Sequence, residues 1–533
     1  MTKYDKFEYL PVIPLGHIGT NTFFYFARGT RQVVALKPGN HGQQNFLSMA
    51  EEADWQRHYK TNPNKGTDWT AIGESLMAHC RDAGIYDPSI VRGRGAWRDG
   101  NDVVFHAGDA LYINGAFTKF EDYEESKYRY LAATKTVRPA DEPISTQDSE
   151  QLLSAIRTWG WEHPSISPYL LLGWIGCSAV CGALEWRPHL WITGTKGSGK
   201  STLDGLVSGI LGDIALRVQG STTEPGLRQA LNGDALPVLF DEFEAENSNA
   251  KAVIDAARSA ASDNSAPMIK GTPEGKPLYY RLRFAGMFSG IIANIQNEAD
   301  RSRFVILEMH QLKRDESQRR KLFENIERFK GEFGAGLLRR MLDALTKESF
   351  YSSLATLRTA IRLAGGDERK ADVFAHLLAA NHVLNSDNDI NDDQATTFAT
   401  LIMGIDEDEP TDEEACLSHL LGYKITVGVG NTQTIGEWLL YIRDNNGTGS
   451  SGETANEELE RYGIKLEPDG LNIANATNGI KSIYARSRWA DGAHHRILCR
   501  LPGASKGGKL RFAGHQSRCT VIPQNIIFSG DGS

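Results

Sequence analysis

Residues Gly194-Thr195-Lys196-Gly197-Ser198-Gly199-Lys200-Ser201 match G-x-x-x-x-G-K-[ST] at every position, a pattern that works only between a strand and a helix. The flanks comply. Leu190-Trp191-Ile192-Thr193 reads as a short buried strand, and Thr202–Leu211 reads as the helix leaving the loop. Glycines let successive backbone N–H groups turn inward around one anion, and the start of the helix adds its positive dipole end. Gly194 through Thr202 are therefore expected to cradle the phosphates of ATP. Lys200 would reach the β- and γ-phosphates, and the Ser201 hydroxyl would hold Mg²⁺.

Further signals follow in the order such a site needs. Leu236-Pro237-Val238-Leu239-Phe240 is an apolar run ending in Asp241 and Glu242. It comes after one intervening strand (Ala215–Val218) and one helix (Glu224–Leu231), so a buried parallel strand is expected to deliver both acids beside the loop. Asp241 suits the Mg²⁺ shell, and Glu242 suits activation of the attacking water. A third strand, Phe288–Asn294, ends in an amide that either senses the γ-phosphate or is a turn asparagine. Asp300-Arg301-Ser302-Arg303 follows. Arg301 or Arg303 is a candidate arginine finger acting on a neighbouring subunit's phosphate, the alternative being a surface pair with Glu298 or Asp300. Between the second and third strands, Gly271-Thr272-Pro273-Glu274-Gly275 reads as the turn of a hairpin. Lys270 and Lys276 flank its tip, and Arg281 and Arg283 stand at alternate positions on one arm, a set that suits a DNA backbone or a solvated surface. Tyr279 or Tyr280 would be placed to stack on bases.

This order of phosphate loop, Asp-Glu strand, basic hairpin, strand ending in Asn and then Arg resembles the AAA+ ATPases of phage, plasmid and mobile-element replication. It is most similar to superfamily 3-type replicative helicases and the helicase halves of phage primase-helicases. The motifs span about Trp191–Arg303. The resemblance implies an ATP-hydrolysing DNA helicase that forms a homo-hexameric ring with ATP between neighbours and single-stranded DNA in a central channel. It also implies other replication proteins as partners. Lys200, Ser201, Asp241, Glu242 and Asn294 would act in cis, Arg301 or Arg303 in trans, and Lys270 or Lys276 on DNA. Neither a primase set of paired acids nor zinc-binding cysteines are present, so priming is not implied. A rival reading is an AAA+ switch or remodeller, in regulation or antiviral defence, without helicase activity.

A chain of 533 residues carries roughly three or four folding units. The expected fold class is α/β, with an AAA+ P-loop core (a parallel sheet flanked by helices) at 187–312. Residues 1–125 read as an α+β module, 140–186 as a helical collar, 313–430 as a helical region with an acidic segment, and 431–533 as a basic, winged-helix-like unit. Ser317–Leu345 and Ser353–Asn381 carry amphipathic helical periodicity. Asp387–Glu414 holds eleven acids and no Lys or Arg, with Asp406–Glu414 the candidate linker. The net charge of -9 excludes a uniformly basic nucleic-acid coat, so any such surface is local. Residues 481–520 are one: nine basic residues stand against Asp491 alone. There, a helix near Asn478–Trp489, strand-like His495–Leu501 and two further strands are expected to place phosphate contacts on a wing. The alternative is a basic face docking on the acidic segment. Six scattered cysteines with no CxxC pair argue for reduced thiols in a cytoplasm, and the resemblance to phage replication proteins implies that of a bacterial host. The start of the chain carries no signal-peptide pattern. The apolar run Tyr169–Leu184 is shorter than the roughly 20 residues a membrane span needs, so a buried helix and no membrane contact are expected.

Overall fold

The computed structural model describes residues 10–59, 66–243, 249–271, 277–290, 295, 298–312, 320, 324, 326–405, 411–428, 431–444, 450–485, 487 and 489–528. The chain divides into two units, Met1–Met403 and Gly404–Ser533. Asn294, Lys276 and the linker core at 406–410 lie outside the described residues.

The first unit opens with an antiparallel sheet of β1 (Val12–Ile18), β2 (Thr22–Ala27) and β3 (Gln32–Leu36). Helix α1 (Trp69–Ala83) covers it. Asp68 caps this helix by accepting from the Ala71 N–H, and Ile72, Leu76 and Cys80 pack on Val12, Phe23 and Tyr25. A meander follows as β4 (Gly95–Asp99), β5 (Asp102–His106), β6 (Leu111–Ile113) and β7 (Ala116–Thr118). Both residues of the Asn114-Gly115 turn have positive φ, the geometry that two-residue hairpin loops require. This module is stitched to the core just before the acid strand. Gly93 N donates to Gly233 O at 3.1 Å and Ala235 N to Arg94 O at 2.8 Å. The Arg94 guanidinium grips Asp234 Oδ2 through Nε at 2.9 Å and Nη2 at 2.6 Å.

After α2 (Thr146–Ile156) comes β8 (Gly160–Trp161). Helix α3 (Ser167–Ala179), from the apolar run, is buried along its length save Tyr169. No helix among the described residues is long and apolar enough to cross a membrane. The chain then builds a six-stranded sheet from β9 (His189–Gly194), α4 (Lys200–Leu211), β10 (Leu216–Gln219), α5 (Glu224–Leu231), β11 (Val238–Asp241), α6 (Ala250–Ala260), the hairpin β12 (Met268–Gly271) and β13 (Pro277–Tyr280), then β14 (Gly286–Ser289), α7 (Glu298–Arg301) and β15 (Phe304–His310). The strand order is β8-β15-β9-β14-β11-β10. Every pairing from β15 to β10 is parallel, and β8 alone is antiparallel. The first unit is therefore α/β around a parallel sheet. Trp191, Phe240, Phe243, Phe288 and Phe304 fill its interior, with the Phe240 and Phe288 rings stacked at 4.3 Å. Strands buried on both faces read as unbroken apolar runs, which is why they were legible.

Helices α8 (Glu332–Thr346), α9 (Ser349–Leu363) and α10 (Glu368–Asn385) complete this unit with most of α11 (Asp392–Gly404). Two expectations need correction here. The sheet is not confined to 187–312, because β8 adds an edge pair, Gly160 with His310 and Trp161 with Met309. The run 353–381 is two helices, broken where Gly365 takes a φ of +97° and Asp367 caps α10 by accepting from the Lys370 N–H.

The second unit begins before residue 431. In α12 (Asp412–Leu421), Thr411 and Glu414 form a reciprocal capping box, and Cys416, Leu417 and Leu420 enter the same core as Ile464, Leu471 and Ile522. Next come β16 (Lys424–Val427), β17 (Asn431–Thr434), α13 (Ile435–Asp444) and α14 (Ser450–Arg461). A four-stranded antiparallel sheet follows in the order β18 (Ile464–Glu467), β19 (Gly470–Ala474), β21 (His515–Ile522), β20 (Ser505–Phe512). Helices α15 (Asn478–Tyr484) and α16 (Ala493–Leu498) lie in the long connection between β19 and β20. The strand expected at 495–501 is thus mostly helix, since a run this short does not fix its period. Residues 505–508, although they include Gly507 and Gly508, form the first half of β20.

Candidate active site

The chain's route through the sheet decides where a ligand can sit. From β9 it runs out to the edge at β10, returns through β11 and β14, then crosses β9 to reach β15. Connections diverge on either side of β9, and the crevice outside the carboxyl ends of strands at such a reversal is where α/β sheets bind ligands. The phosphate loop leaves β9 at that point.

The loop is folded as a cradle. Gly194 has a φ of +149°, and a Cβ there would fall 2.2 Å from Met309 O. Gly199 has a φ of +97° and N-caps α4 in the left-handed region, a conformation glycine adopts without cost. Lys200 already belongs to the helix, two residues earlier than the sequence indicated. Its Nζ donates to Gly194 O at 2.5 Å and Thr195 O at 3.3 Å, folded back over the loop rather than out into solvent. Ser198 is 4% exposed, and its Oγ has no hydrogen-bond partner among the described residues. A buried hydroxyl without a partner is costly, and a phosphate oxygen is a partner of the right chemistry.

Asp241 ends β11, and its carbonyl accepts from Gly220 N at 2.7 Å, leaving the carboxylate exposed. Glu242 follows with a φ of +51°. Non-glycine residues held there are strained and cluster at functional sites. The strand ends around it are pinned, since Phe243 N donates to Ser289 O at 2.8 Å and Gly290 N to Ile192 O at 3.1 Å. The fold thus gathers Lys200, Ser201, Asp241 and Glu242 at one sheet edge. The Ser201 hydroxyl and the Asp241 carboxylate are hard oxygen donors of the kind Mg²⁺ takes.

Asp204 also belongs to this edge, and sequence reading missed it. It sits on α4, one turn beyond Lys200 and Ser201. Burial pushes its carboxyl up to about 6; the Ser289 hydroxyl beside it draws it down, Asp241 raises it further, and Arg217 and Lys200 oppose. Neither carboxyl oxygen holds a hydrogen bond of good geometry among the described residues. The available signal was an acid at i+4 from the loop lysine, inside a helix whose Leu203, Leu206 and Val207 are buried.

The arginine candidates lie elsewhere on the unit. Arg301 closes α7 and Arg303 precedes β15. Asp300 accepts from Arg258 Nη1 at 2.9 Å, and Arg369 Nη1 donates to Ser302 Oγ at 3.2 Å. Burial first, then the Arg369 and Arg258 guanidiniums, push the Arg303 guanidinium below its ordinary value, with Asp300 opposing.

The basic hairpin exists, pairing Met268 with Tyr280 through Gly271 with Pro277, while its tip and the Lys276 position lie outside the described residues. Arg281 and Arg283 are not on its arm, which ends at Tyr280. They follow it and are tied to one loop: Arg281 Nη1 donates to Asp263 O at 2.7 Å and Arg283 Nε to Asp263 Oδ1 at 3.2 Å. Tyr280 donates to Glu224 Oε1 at 3.0 Å beneath the Arg228 guanidinium, so that ring is engaged inside the fold.

No protein-family model matches the chain, and no curated protein matches it. Two solved structures of the apo NrS-1 C-terminal region are similar along nearly the whole length. One, the A form, is 12% identical, covering 97% of this chain and 98% of that one at a TM-score of 0.37. The other is 12% identical over the same shares at 0.34. At these scores the likeness is loose, and no residue role is carried across it.

Proposed function

We propose that this chain is an ATP hydrolase of AAA+, superfamily 3-like type, which assembles as a homo-hexameric ring and moves along DNA during replication of a phage or mobile element. The observation that carries this reading is the convergence of the Lys200 loop and the strained Asp241-Glu242 strand end at the reversal point of a parallel sheet. Loop N–H groups from Gly194 to Thr202 bind the phosphates, with Lys200 turning from the loop carbonyls to the β- and γ-oxygens. Ser201 and Asp241 hold Mg²⁺, which supplies charge neutralisation to the leaving phosphates. Glu242 orients the attacking water. Arg301 or Arg303 completes the neighbouring subunit's site in trans, and Asn294 reports the γ-phosphate state. Lys270 and Lys276 at the hairpin tip grip single-stranded DNA, while Arg281 and Arg283 brace its base. The winged-helix-like second unit offers its own basic face to nucleic acid. A cytoplasmic site of action in a bacterial host, beside other replication proteins, belongs to this reading.

Lys200→Ala is expected to lower ATP turnover about a hundredfold or more, the scale for losing one preorganised charge contact. Neutralising Lys270 and Lys276 together should abolish DNA-stimulated turnover and unwinding. Intact unwinding in that double variant rejects the hairpin's role. Hydrolysis by the unchanged protein that DNA never stimulates favours the rival reading, an AAA+ switch or remodeller.

A further inference from the structure

Asp204 has no place in the roles assigned so far, yet it occupies an expensive position. Helix α4 presents positions i and i+4 on one face, and side chains lean toward the helix N-terminus. Its carboxyl therefore reaches back under the turn that carries Lys200 and Ser201. Strands β11 and β14 close the other side, with Asp241 and Ser289 facing it, and Arg217 of β10 stands beyond. Both carboxyl oxygens are shielded from water and hold no hydrogen bond of good geometry among the described residues, the Ser289 hydroxyl being a polar neighbour beside them.

Burying a carboxylate costs several kcal/mol unless something compensates it, and a second acid, Asp241, sits nearby. The two acids and the Ser201 hydroxyl converge where the bound nucleotide would bring a divalent cation. We infer that Asp204 is a positioning residue for that cation, accepting a hydrogen bond from a metal-bound water and fixing the metal between Ser201 and Asp241. The inference rests on the nucleotide-site reading above. It accounts for the missing partners: the donors arrive with the hydrated metal.

Groups that orient a metal's ligands change its affinity by about 10–100-fold when replaced. Mn²⁺, a paramagnetic probe, is titrated by electron paramagnetic resonance into the full chain holding a non-hydrolysable ATP analogue. Asp204→Asn and Asp204→Ala should each weaken half-saturation at least about tenfold. Binding of the same analogue in EDTA should stay within about twofold, since the phosphate cradle is untouched. The melting temperature without ligand should hold or rise in Asp204→Asn, because an unpartnered buried charge is removed.

Unchanged Mn²⁺ affinity in Asp204→Asn overturns the inference. So does an equal loss of metal-free nucleotide binding, or a lowered melting temperature, each of which makes the carboxyl a structural group. Should the unchanged protein bind no nucleotide with or without metal, both readings fall. Normal wild-type binding with unaltered metal affinity in the variant sinks this one alone.

Discussion

Basic residues cluster at the hairpins β12–β13 and β20–β21, which treat them in opposite ways. At the base of β12–β13 in the first unit, Arg283 and Arg187 share Asp263, at 3.2 and 2.9 Å, and Arg187 is 1% exposed. Arg228 lies over Tyr280 and beside Glu224. In the second unit the register of β20 and β21 pairs Lys509 with Arg518 and Arg511 with Gln516. All four are exposed, while Leu510, Phe512 and Cys519 turn to the other face. The ion pairs among the described residues of that unit run through Arg443, Arg461 and Lys465 instead. A cluster of cations in a sequence thus says nothing about whether the charge is consumed within the fold. In the first hairpin the base cations hold the core together; in the second they face solvent.

Removing Asp263 should break this contrast most severely. Asp263→Ala leaves the buried Arg187 guanidinium with, among the described residues, the carbonyls of Ala260 and Leu184. Stripping one partner from a buried pair costs 3–5 kcal/mol, and the partial exposure of Asp263 puts this case near the lower end, about 3 kcal/mol. Urea denaturation measures it. A loss below about 0.5 kcal/mol, the range of ordinary surface substitutions, would show that Arg187 is held by its backbone contacts alone.

Tyr280→Phe comes next. It deletes the hydroxyl that donates to Glu224, a residue 4% exposed, and Arg228 still reaches that carboxylate at 3.6 Å. One hydrogen bond to a charged acceptor is worth about 1.5 kcal/mol, so a loss near that figure is expected in the same denaturation experiment. No loss would return Tyr280 to the pool of rings available to a ligand.

Why some of this was legible and some not follows from the kind of signal each residue sends. The phosphate loop and the acid strand declare themselves because their chemistry needs fixed spacing and because strands buried on both faces are unbroken apolar runs. Asp204 offers only its i+4 spacing from Lys200, as an acid inside an amphipathic helix reads as part of a solvated face until tertiary packing buries it. Glu242's left-handed backbone has no sequence marker either, being imposed by the pinned ends of β11 and β14. The helix at 493–498 looked extended because six residues are too few to fix a period. The second unit's true start was hidden by the acids at 412–414, which serve the positive end of α12 rather than a linker. Arg281 and Arg283 looked like arm residues because alternation in sequence does not reveal where a strand stops.

The smallest effect on stability is expected where the charge looks densest. Replacing Lys509, Arg511 and Arg518 together by Ala should change folding free energy by no more than about 0.5 kcal/mol per site, because none of the three joins an ion pair among the described residues. The same change should register in binding. Each phosphate neutralised contributes about 0.9 to the slope of log affinity against log salt on duplex DNA. If all three touch the backbone, the slope falls by about 2.7, while ATP turnover without DNA stays at the wild-type rate. A stability loss of several kcal/mol with an unchanged slope would place these cations alongside Arg283, as structural charges, and erase the difference between the two hairpins. A lowered slope with stability intact keeps the difference and ties the second unit to nucleic acid independently of the ATP site.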